Sequence, residues 1–146
     1  MQSNLPFYKQ EKPYSCVPAC LRIVLADRGY ILTEADLRER CDCTFLGTEA
    51  LKVVDALRSM GFKNSNKQTL RFSELVLELD TGIYPIVFVN LLPIDGVNDA
   101  HAMVVMSVDD EDVMVCDPLQ GERLLPRSTF DSAWAMMRNL TILIRD

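Results

Sequence analysis

The chain carries one histidine, His101, so any step that needs an imidazole near neutral pH falls to that residue. Its five cysteines are Cys16, Cys20, Cys41, Cys43 and Cys116. An odd set without a secretory signal fits reduced thiols better than a disulfide framework. Cys16 falls in the predicted first turn of a helix, where unpaired backbone N–H groups and the macrodipole favour a negative charge. A helix N-terminus together with an imidazolium can bring a cysteine from ~8.5 into roughly the 3.5–7.5 range, which makes a nucleophile. Taken alone, the same residue reads sooner as a buried, inert helix cysteine. Cys20 lies one turn deeper on the same side and is assigned to the core; a CxxxC metal pair would want two further ligands.

Three polar residues have the chemistry to serve such a thiol. His101 opens the apolar run HAMVVMSV after the polar stretch DGVNDA. Its ring is therefore expected at a sheet edge facing a cleft, where a general base needs access; the alternative is a surface histidine without a role. Asp117 closes the return strand VMVCD, toward the same open end of the hairpin, where a carboxylate can orient an imidazole and stabilise its charged form. Simple counting across the turn does not set the two opposite each other, so their meeting requires a bulge or strong twist. Asp117 also starts the turn DPLQG, a common use of Asp-Pro. Gln10 precedes Cys16 by six residues on the arm entering the helix, where its amide could donate to an oxyanion; alone, it reads as an exposed polar residue. A zinc site of Cys41, Cys43, Cys116 and His101 is the weaker alternative: CxC is poor zinc spacing, and the metal would consume the only base.

The elements that must position these residues follow from periodicity and breakers. Residues 1–14, with Pro6 and Pro13, read as an extended arm. Ser15 looks like an N-cap, and Val17, Ala19, Cys20, Ile23, Val24 and Leu25 recur at helical spacing to about Arg28, with Pro18 harmless in the first turn. Gly29 supplies the stop. Thr33 opens a second short helix with Asp36 in an imperfect capping box, ending before the 41–44 turn. Thr48 caps a third, with Leu51, Val54, Leu57 and Met60 as its apolar face and Gly61 at its end. Ser73 caps a fourth through about Leu79. IYPIVFVNLL reads as a buried strand. HAMVVMSV, the acidic turn 109–112 and VMVCD read as an antiparallel hairpin that Pro118 ends. Residues 121–125 add a strand, Ser128 caps a brief helix containing Trp134, and LTILI closes the sheet. Helices first and strands second favour an α+β arrangement, N-terminal helices on a C-terminal antiparallel sheet, over βαβ winding.

With 146 residues, 49% hydrophobic and 25% charged, the chain has the composition of one ordinary globular domain. About 70% of the unfolded surface can be buried at this size, so no metal or disulfide staple is required. The net charge of −6 and the absence of a basic run disfavour nucleic acid as a partner, since phosphate neutralisation supplies most of that affinity. The opening MQSNLPFYKQ holds no apolar signal core, and no stretch approaches the ~18 apolar residues of a spanning helix. The expectation is a cytoplasmic protein without membrane insertion.

Taken together, QEKPYSCVPAC (Gln10 to Cys20) followed by LRIVL, then AHAMVV with His101 and VMVCDP with Asp117, resembles cysteine peptidase family thirty-nine. These are the bacteriocin-processing, double-glycine leader peptidases of the papain-like class. The resemblance spans nearly the whole chain. It implies a single papain-like α+β domain over residues 1–146, and a peptide or protein as substrate. By the family's pattern Cys16 would attack the carbonyl, His101 would take the thiol proton and return it to the leaving amine, and Asp117 would orient His101. Gln10 with the Cys16 backbone N–H would form the oxyanion hole, and no cofactor or metal is needed. A catalytically weak peptide-binding module of the same fold is the alternative. Known members are often fused to an exporter, so the resemblance also suggests a separate transporter as partner. The residues flanking the nucleophile, Ser15 and Val17, differ from the aspartate and glycine often found there.

Overall fold

The computed structural model describes residues 5–146; residues 1–4 of the expected arm lie outside the described residues. The first helix, α1 (Cys16–Asp27), buries Val17, Cys20, Leu21, Ile23, Val24 and Leu25. It ends in a Schellman motif, as the stop at Gly29 required. Gly29 takes φ 90°, its N–H bonds the Ala26 carbonyl, and the Tyr30 N–H bonds the Leu25 carbonyl. Thr33 caps α2 (Glu34–Arg40) through its side chain, which accepts from the Asp36 N–H. The third helix is α3 (Ala50–Ser59).

Six strands form one antiparallel sheet: β1 (Asn66–Thr69), β2 (Ile86–Asn90), β3 (Ala100–Val108), β4 (Asp112–Asp117), β5 (Gly121–Pro126) and β6 (Leu140–Leu143), in the order β1-β6-β2-β3-β4-β5. Three further helices intervene: α4 (Phe72–Asp80), α5 (Leu92–Asp95) and α6 (Arg127–Ala135). Alternation along β2 and β3 splits the core between the two sheet faces. Ile86, Phe88, Ala102 and Val104 join Leu21, Leu25, Leu37 and Leu57 from α1, α2 and α3 in one cluster. Val87, Val89, Met103 and Val105 join Leu75, Phe130 and Trp134 from α4 and α6 in the other. Each fully buried Leu, Ile or Phe in these layers contributes about 1.5–3 kcal/mol.

The expected α+β arrangement is present, with α4 and α6 on the sheet face opposite α1. Several details of the elements need correction. The first residue of α3 follows Glu49, not Thr48. Leu51 is exposed while Val53 and Ala56 are buried, so the core stripe of α3 is rotated from the one expected. Neither Ser73 nor Ser128 caps its helix; Arg71 and Pro126 hold those positions. Glu74 closes the start of α4 by accepting from the Arg71 N–H at 2.8 Å. Two short elements, β1 and α5, were not anticipated. No helix among the described residues is long and apolar enough to cross a membrane.

Candidate active site

The arm before α1 is tied into a knot at the helix mouth. The Lys12 carbonyl accepts from the Ser15 N–H (3.2 Å), the Ser15 hydroxyl (3.1 Å) and the Gln10 side-chain Nε2 (2.8 Å). Ser15 holds the N-cap position, yet its hydroxyl makes no cap bond. It lies instead 3.0 Å from Glu34 Oε1, which also accepts from the Glu11 N–H at 2.9 Å. Glu34 is buried, and Arg38 pairs with its other oxygen at 3.0 Å. A carboxylate from α2 thus braces both the arm and the residue before Cys16. Charge-assisted hydrogen bonds of this kind hold geometry more firmly than neutral ones.

On the sheet side, a β-bulge sets up the meeting that strand counting alone forbids. Near the hairpin tip Ser107 pairs with Met114, but beyond Met106 the register shifts, and Val105 pairs with Val115 and Val104 with Cys116. The first register carried onward would set Asp117 across from Val104. The shifted one carries it across from Met103, which shares a strand face with His101 because side chains alternate with period two. His101 Nε2 then lies 2.7 Å from Asp117 Oδ1. Both side chains are buried, Asp117 to 1% exposure.

Asp117 also keeps its turn role. The Leu119 N–H donates to Oδ1 at 2.9 Å, and the Gln120 N–H bonds the Asp117 carbonyl at 3.1 Å, so one side chain both shapes the DPLQG turn and holds the imidazole. The second carboxylate oxygen, Oδ2, accepts from Arg123 Nη1 at 3.1 Å. That guanidinium also grips Asp95 on α5 through two nitrogens, at 2.6 and 3.0 Å. Sequence reasoning missed Arg123 and Asp95. The signal for Arg123 was present: a tight β4–β5 hairpin pairs Asp117 with Gly121, and the residue two further along faces the same way.

Cys16 lies near the His101 ring, lines the same cleft and raises the proton affinity of the imidazole. With Nε2 held by Asp117, Nδ1 is the ring nitrogen left for another partner. Burial by itself disfavours the imidazolium, but the bond to Asp117, the nearby Cys16 and the Asp117 charge override it, raising His101 to about 9. Burial pushes the Asp117 carboxyl upward, and its bonds to His101, the Leu119 N–H and Arg123 bring it below the ordinary carboxylate value. Cys20, wholly buried, is raised well above an ordinary thiol by desolvation and by the neighbouring Cys16, Cys116 and Asp117. Desolvation likewise raises Cys41 to about 12 and Cys116 to about 11.

Cys16 and His101 line one cleft of about 530 Å³, whose other walls are largely apolar, with Tyr14, Val17, Leu91 and Leu119 among them. Phe45 and Leu46, 78% and 84% exposed, stand over it on the turn between α2 and α3. Gln10 was expected on an open arm and is buried instead. Its backbone N–H bonds the Pro118 carbonyl at 2.8 Å, which ties it beside Asp117, while its amide spends one Nε2 proton on Lys12 and keeps the other. Among the described residues, no group of three or more His, Cys, Asp or Glu side chains is arranged to hold a metal ion.

Known proteins agree with this architecture. A protein described as a C39-like peptidase from Bacillus anthracis superposes with a TM-score of 0.83 at 16% identity, over 98% of this chain and 95% of that one. The peptidase domain of Streptococcus ComA, described as a bi-functional ABC transporter involved in a quorum-sensing pathway, superposes with a TM-score of 0.81 at 25% identity, over 98% and 100% of the two chains. The α+β, papain-like fold is therefore shared. In sequence, an uncharacterised protein of Methanothermobacter thermautotrophicus is 34% identical over 122 residues, 83% of this chain and 77% of that protein. Residues 4–144 match the profile of the Peptidase C39 family, and a match running from the arm through the last strand makes this chain a member of it.

Proposed function

We propose that the chain is a cysteine endopeptidase, a single papain-like domain over residues 1–146 in which Cys16 is the nucleophile. The observation that carries this reading is that Cys16, at the mouth of α1, and His101 line one cleft, with the His101 ring held at Nε2 by Asp117 at 2.7 Å.

The chemistry follows from those positions. His101 holds the proton that the thiol gives up, so that the sulfur adds to the peptide carbonyl beside an imidazolium, and Asp117 stabilises that imidazolium without itself becoming protonated. Negative charge gathers on the former carbonyl oxygen, for which the Cys16 backbone N–H and the free Gln10 amide proton are the donors. Collapse breaks the C–N bond, and His101 protonates the departing amine. Water, deprotonated by the same ring, then hydrolyses the thioester and returns the thiol.

The apolar cleft and its exposed Phe45 and Leu46 rim suit an apolar peptide segment, and cleavage after small residues of a Gly-Gly-like leader is the reading we favour. Such a leader would place the protein in the cytoplasm beside a separate transporter as partner, by analogy with the ComA peptidase domain. Incubating the protein with a peptide library tests the activity: product by mass spectrometry from the native chain and none from Cys16→Ala supports it. Tight peptide binding without product from the native chain would overturn it in favour of a binding module.

A further inference from the structure

We propose that Arg123 and Asp95 form a charge-compensating pair that sets the proton affinity of the His101–Asp117 couple, with Arg123 as a positioning residue one contact removed from the imidazole. Arg123 spans two carboxylates: one nitrogen reaches buried Asp117 Oδ2 at 3.1 Å, while two nitrogens hold Asp95 at 2.6 and 3.0 Å. The three residues come from three elements, β4, β5 and α5, so the contact is not a by-product of local sequence. Fork geometry of this kind is what a guanidinium offers and an ammonium does not.

The consequence is electrostatic. Asp117 does not need Arg123 to stay in place, because its Oδ1 is held by His101 and by the Leu119 N–H, and its backbone is fixed in the β4–β5 pairing. What Arg123 supplies is a cation that offsets one of two nearby anions. The other titratable groups around the ring are Cys16 and, behind it, Cys20 from α1; Tyr14 and Asp99, which line the same cleft; and Cys116 beside Asp117 on β4. Across β2 the ring's strand neighbour is Val89, which carries no charge. None of these is a cation, and among the described residues named around the couple Arg123 alone carries positive charge, so the Arg123–Asp95 pair is the lever on the balance. Removing the cation leaves Asp95 and Asp117 both unopposed, which strengthens the hold on the imidazolium proton. Removing the Asp95 anion leaves Arg123 uncompensated and weakens that hold. A ring that holds its proton too tightly is a poor acid for the leaving amine, which gives the pair its use.

The single histidine makes the test unambiguous, since the chain's one imidazole gives one set of ring resonances. NMR titration of His101 is expected to show a midpoint raised by about half a pH unit or more in Arg123→Met and lowered by a similar amount in Asp95→Asn. In the Arg123→Met/Asp95→Asn double variant it returns close to the native value. Opposite signs cannot come from a merely structural role, in which either loss would loosen Asp117 and lower the midpoint. Midpoints that fall in both single variants, or that do not move, overturn the proposal. Should Arg123→Met fail to fold, Arg123→Gln takes its place, where a raised midpoint is expected and an unchanged or lowered one overturns the proposal. The inference rests on the endopeptidase reading only for its use in turnover. If the native chain cleaves nothing, that reading fails while the titration still decides this one; if it cleaves, the pH profile of kcat/KM should shift in the same directions.

Discussion

Cys16 and Cys20 stand one helical turn apart on α1, yet of the two only Cys16 lines the cleft with His101, whereas Cys20 is fully enclosed in the core. The reactive form of a cysteine is the thiolate, and solvent access decides whether a reagent meets it. At pH 7 an iodoacetamide-type reagent should therefore modify Cys16 in the folded protein and leave Cys20, Cys41 and Cys116 untouched until denaturation, as peptide mapping would show. His101→Ala should slow modification of Cys16 by about tenfold or more, and Cys20→Ala should leave it unchanged. Modification of Cys16 no faster than an ordinary exposed thiol would defeat the idea of an activated nucleophile.

Asp117→Asn keeps the shape of the side chain and removes its charge. The ring loses the anion bound at Nε2, so the imidazolium is less stabilised and the tautomer is no longer dictated. Turnover should fall by roughly 10²–10⁴-fold, and the His101 titration midpoint, observed by NMR, should drop from about 9. A midpoint that stays in place would mean that Asp117 is not the group holding the proton.

The same couple ties stability to pH. His101 titrates higher in the folded state than its ordinary value of ~6.5. Its contribution is therefore fully present below that value and is lost as pH rises through about 9. Asp117 titrates below its ordinary value, so its contribution is present above ~4 and is lost as pH falls further. Stability from denaturant melts across pH should decline between about 6.5 and 9, by on the order of 3 kcal/mol from His101. His101→Gln should flatten that decline, and an equal slope in the variant would refute the assignment.

Phe45 and Leu46 expose most of their surface over the cleft, where they add little to the core. Their replacement by serine should barely move the melting temperature, yet should raise KM for an apolar peptide by about 3–10-fold with kcat within about twofold. Steady-state kinetics with one good substrate separates the two constants. A change in kcat alone would place these residues outside substrate binding.

Much of this arrangement could be read from residues alone. The α1 periodicity, the Gly29 stop and the β3–β4 hairpin are written in strong local patterns, and the sole imidazole narrowed the chemistry to one candidate. Other features depend on contacts that no local pattern records. β1, with the sequence NKQT, has no apolar alternation because it is an outer strand that pairs with β6 alone. Leu51 fits a helical stripe as well as Val53 does, and only tertiary packing selects between them. Gln10 is buried by the turn after Asp117, more than a hundred residues away in sequence. Asp95 belongs to a four-residue helix too short to announce itself. Strand counting requires a bulge or a strong twist, and the fold supplies a bulge at Met106.

That bulge gives the hairpin two very different tolerances to length. At its far end the Asp109 side chain holds the Glu111 and Asp112 N–H groups at 2.8 and 2.7 Å, and residues added there would extend a tip without touching the pairing of Val104 with Cys116. One residue gained or lost between His101 and Met106 would instead exchange the faces of β3, turning the imidazole away from its carboxylate while every strand could still pair. Inherited or engineered insertions in this hairpin should collect at the tip, and the run from 101 to 106 should keep its count.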